Sequence, residues 1–186
     1  GDFSVAEYYR RVTASIPTDR TLDHLQEWAE TRELDPGFVP LVRWAHAQNI
    51  PVTVVSDGFD VYIEPILARS GVRDLVEVSA NRIITAAGGL QPVFPGASEA
   101  CSCFCASCKR NAVVTRLHED DVAIYVGDGR SDACAVGFAD VVFAKGTLAA
   151  ACTRDGIPHH HYHTLSDVLI LLQMHMRRST FRQRRR

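Results

Sequence analysis

The chain has 186 residues, of which 46% are apolar and 23% are charged, a composition typical of a soluble globular protein with one domain and at most a small appendage. Its 20 basic and 22 acidic residues give a net charge of −2, so no overall attraction to nucleic acid is expected. No apolar run approaches the roughly 20 residues that span a bilayer, and no signal peptide is visible; we therefore expect a cytoplasmic protein with no membrane partner.

Helical patterns occupy the first quarter of the chain. Apolar residues recur at helical spacing in residues 5–16, 21–32 and 38–48, and breaks rich in Pro, Asp and Gly separate these segments. None of the three carries a visible chemical motif. We predict that residues 1–36 form a small helical cap segment and that residues 37–186 form an α/β core.

The first strand of that core is predicted at residues 50–55, a continuous apolar run typical of a parallel sheet covered on both faces. It ends at Ser56-Asp57-Gly58, and a helix is predicted over residues 59–70. This arrangement offers a hydroxyl and free backbone amides to an anion. Alternatively, Ser56 is a simple helix cap.

Short strands are predicted over residues 75–78, 82–86 and 90–94, with Gly88-Gly89 as a hairpin turn. Four closely spaced cysteines follow, and they could ligate Zn²⁺ or serve as a structural loop. They are Cys101, Cys103, Cys105 and Cys108. Lys109 comes next and begins a helix that leads into the following strand.

Two acids follow a second predicted strand, residues 122–126, which is apolar and rich in β-branched residues and is therefore expected to be buried. The strand ends in Gly127-Asp128-Gly129, and Asp132 lies one helical turn further on. Glycines permit a tight turn and the close approach of a ligand. The alternative is an ordinary strand-to-helix turn with an acid near the helix N-terminus.

Strands and helices continue to alternate to the end of the chain. We predict a buried strand at 141–144, a helix at 147–153, an edge strand at 159–162 and a closing helix at 165–176. The cluster His159-His160-His161 with His163 suggests a metal site, but adjacent side chains on a strand face opposite sides. We therefore predict a solvent-facing edge with only incidental metal binding. The alternation predicts the α/β class with a doubly wound, Rossmann-like parallel sheet.

In such a sheet, residues at the carboxyl ends of the strands face one crevice. We therefore expect Ser56, Lys109 and the two acids Asp128 and Asp132 to meet there. Carboxylates suit Mg²⁺, and a hydroxyl with an ammonium group suits a phosphoryl group. Metal and fixed positive charge together stabilise the charge that builds up in phosphoryl transfer.

In these features the chain resembles the haloacid dehalogenase superfamily of phosphatases. The strand ending in Ser56 resembles its second motif, Lys109 at a helix start its third, and GDGRSD at 127–132 its fourth. Within the superfamily, VVSDGFDVYIEPIL and the cysteine run before Lys109 are similar to the methionine-salvage phosphatases. The phosphoserine phosphatases are a related group. The resemblance covers residues 38–164.

The resemblance implies a role for each residue, with a small phosphorylated metabolite as the substrate. Ser56 would hydrogen-bond the transferring phosphoryl group, assisted by the backbone near Asp57 and Gly58. Lys109 would neutralise that group, and Asp128 would bind Mg²⁺. Asp132 would hold a metal-bound water or steady Lys109.

The superfamily's first motif, a strand ending in DxDx(T/V) whose first Asp is the nucleophile, is not visible after Gly1. Three explanations are open: truncation, a second copy or a separate polypeptide that supplies the strand, and true loss. The last would make the chain an inactive phosphate-binding or partner-dependent subunit. As printed, the isolated chain is expected to lack normal phosphatase turnover, and an exposed sheet edge makes a homo-oligomer plausible.

Overall fold

The computed structural model describes residues 4–17, 21–87, 89–97 and 105–178. The contacts within the chain divide it into two compact units. The N-terminal unit comprises the chain up to Leu34 together with Val42–Cys108, and the C-terminal unit comprises Asp35–Leu41 and the chain from Lys109 onward. The predicted division into a cap at 1–36 and a core at 37–186 stays a prediction.

The N-terminal unit places helices beside a three-stranded sheet with the order β1-β2-β3. Strands β1 and β2 are parallel, whereas β2 and β3 form the predicted antiparallel hairpin. Only Gly89 of the predicted Gly88-Gly89 turn lies in the described residues; its φ of +107° is a conformation that glycine adopts readily. The elements are α1 (Val5–Ala14), α2 (Leu22–Glu30), α3 (Phe38–Ala47, which begins in the other unit), β1 (Thr53–Phe59), α4 (Asp60–Arg69), β2 (Glu77–Ala86) and β3 (Gly89–Val93).

The core of this unit forms where α4 covers the sheet. Phe59, Val61, Ile83 and Leu90 are buried together, and partly buried side chains of α1 and α2 pack against them. The helical faces predicted for α1 and α2 are only partly buried, since Tyr8 is 52% exposed and Trp28 is 48% exposed.

The C-terminal unit contains a second three-stranded sheet with the order β4-β5-β6, and all three strands are parallel. Its hydrophobic core includes Ala123, Val136, Val142 and Leu148. The elements are α5 (Lys109–Val114), β4 (Ile124–Gly127), a 3₁₀ turn (Arg130–Asp132), α6 (Ala133–Val136), β5 (Val141–Ala144), α7 (Gly146–Arg154), β6 (His160–His161) and α8 (Leu165–Arg178).

The burial of each predicted strand depends on its position within its sheet. All four residues of β5, the central strand, are buried as predicted. Strands β1 and β4 end their sheets, and their residues are only partly buried except for Phe59. The prediction that both strands are buried is therefore wrong, because an edge strand has one uncovered flank in the part of the chain described here.

Two strand boundaries also differ from the predictions. The strand predicted at 50–55 is β1 at Thr53–Phe59, so Ser56 lies within a strand and not after it. The strand predicted at 122–126 is β4 at Ile124–Gly127, and Val122 is 37% exposed. Parallel strands nevertheless alternate with helices, and the α/β class is confirmed. No helix among the described residues has the length and apolarity needed to cross a bilayer.

Candidate active site

The aspartate turn, residues 127–132, lies directly after β4 and is organised by the carboxylate of Asp132. Its Oδ2 atom accepts hydrogen bonds from the backbone amides of Asp128 at 3.0 Å and Gly129 at 2.8 Å. A Cβ atom at Gly127 would lie 2.7 Å from the same oxygen, so this position accommodates only a glycine without movement. The tight turn predicted from the glycines is therefore closed by its own second acid.

The other oxygen of Asp132 is held by two side chains. Oδ1 accepts hydrogen bonds from Lys109 Nζ at 2.6 Å and from the Tyr125 hydroxyl at 2.8 Å. The Lys109 and Asp132 side chains are only 12% and 5% exposed. Four donors thus surround one buried carboxylate, which satisfies the requirement that a buried charge be paired and hydrogen-bonded.

These contacts keep Asp132 ionised. Burial raises the pKa of this carboxyl, but the charge and hydrogen bond of Lys109, with further hydrogen bonds from Gly129 and Tyr125, lower it more, so its pKa lies below the ordinary value. An ionised Asp132 in turn fixes the ammonium group of Lys109. Steadying Lys109 is the part of the predicted role that the geometry favours.

Asp128 differs from Asp132 because its side chain is exposed. Its backbone carbonyl accepts from the Leu148 amide and the Thr147 hydroxyl, each at 3.1 Å. Its carboxylate forms no hydrogen bond or ion pair with the described residues. The turn therefore presents two carboxylate oxygens outward on a backbone anchored from both sides.

Two residues near this turn were not found from the sequence. Tyr162, which is 4% exposed, donates its hydroxyl to the Gly127 carbonyl at 3.3 Å. Burial, together with the charges of Asp128, Asp132 and Asp35, raises the pKa of Tyr162 to about 12, so it remains a neutral donor. Lys145 lies with its Nζ 4.9 Å from the centre of the Tyr162 ring. Lys145 directly follows β5, so the strand-end rule could have found it, whereas nothing local marks Tyr162.

The serine loop, residues 56–58, interrupts the pairing of β1 with β2, since the register shifts between Val55 and Phe59. The Gly58 amide donates to Ser56 Oγ at 3.0 Å. A Cβ atom at Gly58 would clash with the phenol oxygen of Tyr62 and lie 3.1 Å from Ser56 Oγ. The loop is therefore a bulge closed by its own serine, with little room for a side chain at position 58.

Asp57 is bound to two other segments of the N-terminal unit. Its carbonyl accepts a hydrogen bond from Asn81 Nδ2 at 2.7 Å, and its Oδ1 accepts one from the Ser107 amide at 2.7 Å. Asn81 is fully buried and Ser107 is 1% exposed. Sequence reasoning missed both partners, which lie 24 and 50 residues further along the chain.

The predicted site residues thus fall into two groups. Lys109, Asp128 and Asp132 are connected in the C-terminal unit, and the serine loop belongs to the N-terminal unit. That Ser56 shares a crevice with the aspartate turn stays a prediction.

The predicted zinc sites find no support in the described residues, where no three His, Cys, Asp or Glu side chains are grouped as metal ligands. Cys101 and Cys103 lie outside those residues, Cys105 is half-buried and Cys108 is 3% exposed. The histidine edge strand is confirmed as β6, the outermost strand of its sheet. His160 stacks on Phe143, and its ring centre lies 5.3 Å from that of His175.

The chain is similar in sequence to phosphatases of several bacteria. The chain is 27% identical over 174 residues to a 2-hydroxy-3-keto-5-methylthiopentenyl-1-phosphate phosphatase of Bacillus cereus, an alignment that covers 93% of this chain and 78% of the relative. It is 26% identical over 160 residues to the protein of the same name from Exiguobacterium sibiricum, covering 85% and 72%.

The fold is similar to that of phosphoserine phosphatases. The crystal structure of the enzyme from T. onnurineus superposes with a TM-score of 0.64 at 17% identity, covering 90% of this chain and 72% of that one. Residues 2–136 match the family model of the haloacid dehalogenase-like hydrolases. With its parallel strands, its lysine–aspartate pair and its glycine-flanked acid, the chain belongs to this family of hydrolases.

Proposed function

We propose that this protein hydrolyses the phosphate ester of a small metabolite and that it requires Mg²⁺. The observation that carries the proposal is the aspartate turn, in which a buried ion pair fixes Lys109 while Asp128 presents an exposed carboxylate. Fixed positive charge beside a metal-binding acid is what phosphoryl transfer requires. The names of the similar phosphatases support the same reaction class.

Asp128 fits Mg²⁺ and Asp132 does not. Mg²⁺ is held by one or two carboxylates and keeps several waters, and an exposed carboxylate on an anchored turn meets that requirement. Both oxygens of Asp132 already accept two hydrogen bonds each, so a metal would have to displace a donor. When bound, the ion would neutralise phosphate charge; Asp128 would hold it.

Lys109 is the second source of positive charge. Asp132 accepts one of its three ammonium protons and leaves the others available to phosphate oxygens. Because Asp132 and Lys109 are both nearly buried, the ammonium group cannot move freely toward solvent. We assign it the role of binding the phosphoryl group and stabilising its charge.

Ser56 supplies a neutral donor in this proposal. The Gly58 amide occupies its oxygen as an acceptor, so the hydroxyl proton is left to donate to a phosphoryl oxygen. The amide of Asp57 would add a second donor.

The test measures phosphate binding and phosphate release in the same samples. We expect the chain to bind inorganic phosphate in an Mg²⁺-dependent manner by titration calorimetry. Asp128→Asn should abolish the Mg²⁺ dependence, and Lys109→Met should weaken phosphate binding by 10-fold or more, on the order of 1.4 kcal/mol. Asp120→Asn, an exposed acid before β4, is the matched control and should leave binding unchanged.

The same samples are then given a panel of small phosphomonoesters. Release of phosphate that requires Asp128 and Mg²⁺ would show that the nucleophile predicted to be absent is present after all. Binding without release would contradict hydrolysis by this chain and would leave only the phosphate-binding part of the proposal. Absence of Mg²⁺-dependent phosphate binding would overturn the proposed function.

A further inference from the structure

Asp57 is anchored through both its backbone and its side chain. Its backbone carbonyl and its side chain accept hydrogen bonds from two different segments, each at 2.7 Å. Neither donor is charged, and neither belongs to the loop itself. One carboxylate oxygen of Asp57, Oδ1, is thus committed to a backbone amide of the protein.

The amide that Asp57 binds is buried. Ser107 is 1% exposed, and its neighbours Ala106 and Cys108 are 0% and 3% exposed. A buried backbone N–H without an acceptor costs about as much as a lost hydrogen bond. The Asp57 carboxylate therefore supplies the acceptor that the segment 105–108 needs at this point.

The same segment is anchored on its other side by Gly96. The Cys108 amide donates to the Gly96 carbonyl at 2.7 Å. A Cβ atom at Gly96 would lie 2.8 Å from Ser107 Oγ, so the two backbones are closely packed. The backbone that runs into Lys109 is thus fixed at two consecutive residues, once by Asp57 and once by Gly96.

Asn81 holds the backbone of Asp57 by a hydrogen bond. It is fully buried and opposite Phe59 in the β1–β2 pairing. Because a backbone carbonyl only accepts, Asn81 must direct its Nδ2 toward Asp57, and its Oδ1 has no partner among the described residues. Burying an acceptor unpaired is unfavourable, which indicates that the bond to Asp57 determines the orientation of this side chain.

We propose that Asp57 is a positioning residue whose carboxylate ties the serine loop to the segment that leads into Lys109, and that Asn81 holds it in place. This inference rests on the proposed function, since Ser56 and Lys109 are the phosphate-binding residues that it positions. It adds to the role that the resemblance implies, which uses only the backbone near Asp57 and Gly58, because it assigns the side chain of Asp57 to a hydrogen bond within the protein.

The experiment compares two substitutions of the same residue in the full chain. Asp57→Asn keeps an oxygen that can accept from Ser107, and Asp57→Ala removes it. We expect Asp57→Asn to bind phosphate within about threefold of the wild type, and Asp57→Ala to bind it about 10-fold more weakly. Asn81→Ala should weaken binding in the same direction, and Asp74→Asn and Asp74→Ala, at an exposed acid of the same unit, are the matched controls.

Amide hydrogen exchange at Ser107 provides a readout that does not depend on phosphate. The Ser107 amide should be protected in the wild type and in Asp57→Asn, and should exchange about 10-fold faster in Asp57→Ala. If Asp57→Asn is as defective in phosphate binding as Asp57→Ala while Ser107 stays protected in both, Asp57 acts chemically and the inference is overturned. Should the wild type bind no phosphate, the proposed function fails, while the exchange rates still decide whether the tie exists.

Discussion

The aspartate turn and the serine loop are stabilised in different ways. In the aspartate turn, one carboxylate, Asp132, receives all four hydrogen bonds that close the turn and hold Lys109. In the serine loop, three hydrogen bonds end on three different acceptors, one on Ser56 and two on Asp57. The first arrangement depends on a single charge, whereas the second is distributed over several groups. A single substitution should therefore lower the stability of the aspartate turn strongly, whereas each substitution in the serine loop should have a smaller effect.

Lys109→Met should have the largest effect on stability. It leaves Asp132 ionised and buried without its cation, which typically costs about 3–5 kcal/mol in the free energy of unfolding. Urea denaturation at pH 7 measures the change. The control is Arg154→Met, which breaks an exposed pair with Asp155 and should cause no measurable change. Equal effects of the two substitutions would contradict a central role for Asp132.

Replacing Gly127 and Gly58 by alanine compares the stability of the two regions directly. Gly127→Ala brings a methyl group against Asp132 Oδ2, which four donors hold in place, so we expect a loss of about 1–3 kcal/mol. Gly58→Ala meets the end of the Tyr62 side chain, which can move aside, and should cost less. Gly137→Ala meets no atom within 4 Å and serves as the control. A larger effect at Gly58 than at Gly127 would reverse the comparison.

Acid should weaken the aspartate turn through Asp132. The folded-state pKa of this carboxyl lies below its ordinary value of 3.8, so its contribution to stability is full above that value. The contribution is lost as the pH falls through the lowered folded-state pKa. Unfolding measured from pH 7 down to pH 2 should show this loss in the wild type and a smaller one in Asp132→Asn. Parallel curves would mean that the ion pair does not stabilise the fold.

Of the four predictions, Tyr125→Phe should have the smallest effect on the free energy of unfolding. It removes one donor to Asp132 Oδ1, while Lys109 continues to occupy that oxygen. We expect a loss of about 1 kcal/mol in urea denaturation and a rise in the pKa of Asp132. Tyr8→Phe, at a side chain that is 52% exposed, is the matched control.

Local patterns were sufficient to predict the turn that carries Asp128 and Asp132. An apolar run followed by Gly-Asp-Gly predicts a strand and a tight turn, and the structure has β4 followed by that turn. The predicted burial of β1 and β4 was wrong, because periodicity within a strand carries no information about which strand lies at the edge of a sheet. Strand β5 has a similar apolar pattern and is buried because it lies between two neighbours.

Partners distant in the chain were not predictable. Tyr162 reaches Gly127 across 35 residues, and Asp57 binds Ser107 across 50 residues. No spacing rule links such positions, because the intervening turns and strands determine whether they meet. The same reason explains why Asn81 and Tyr125 carried no signal, although each contacts a predicted site residue.

The amino-acid sequence by itself determined the α/β class, the location of the two loops and the residue types that could bind a phosphate group and a metal. These follow from short-range rules on strand ends, glycines and charge. Only the tertiary structure decided that Asp132 accepts hydrogen bonds from four donors while Asp128 remains exposed. It also decided that Asp57 binds the backbone amide of Ser107, two residues before Lys109. Two carboxylates with identical chemistry acquire different roles because burial and the number of nearby donors, not residue type, determine which oxygens remain available.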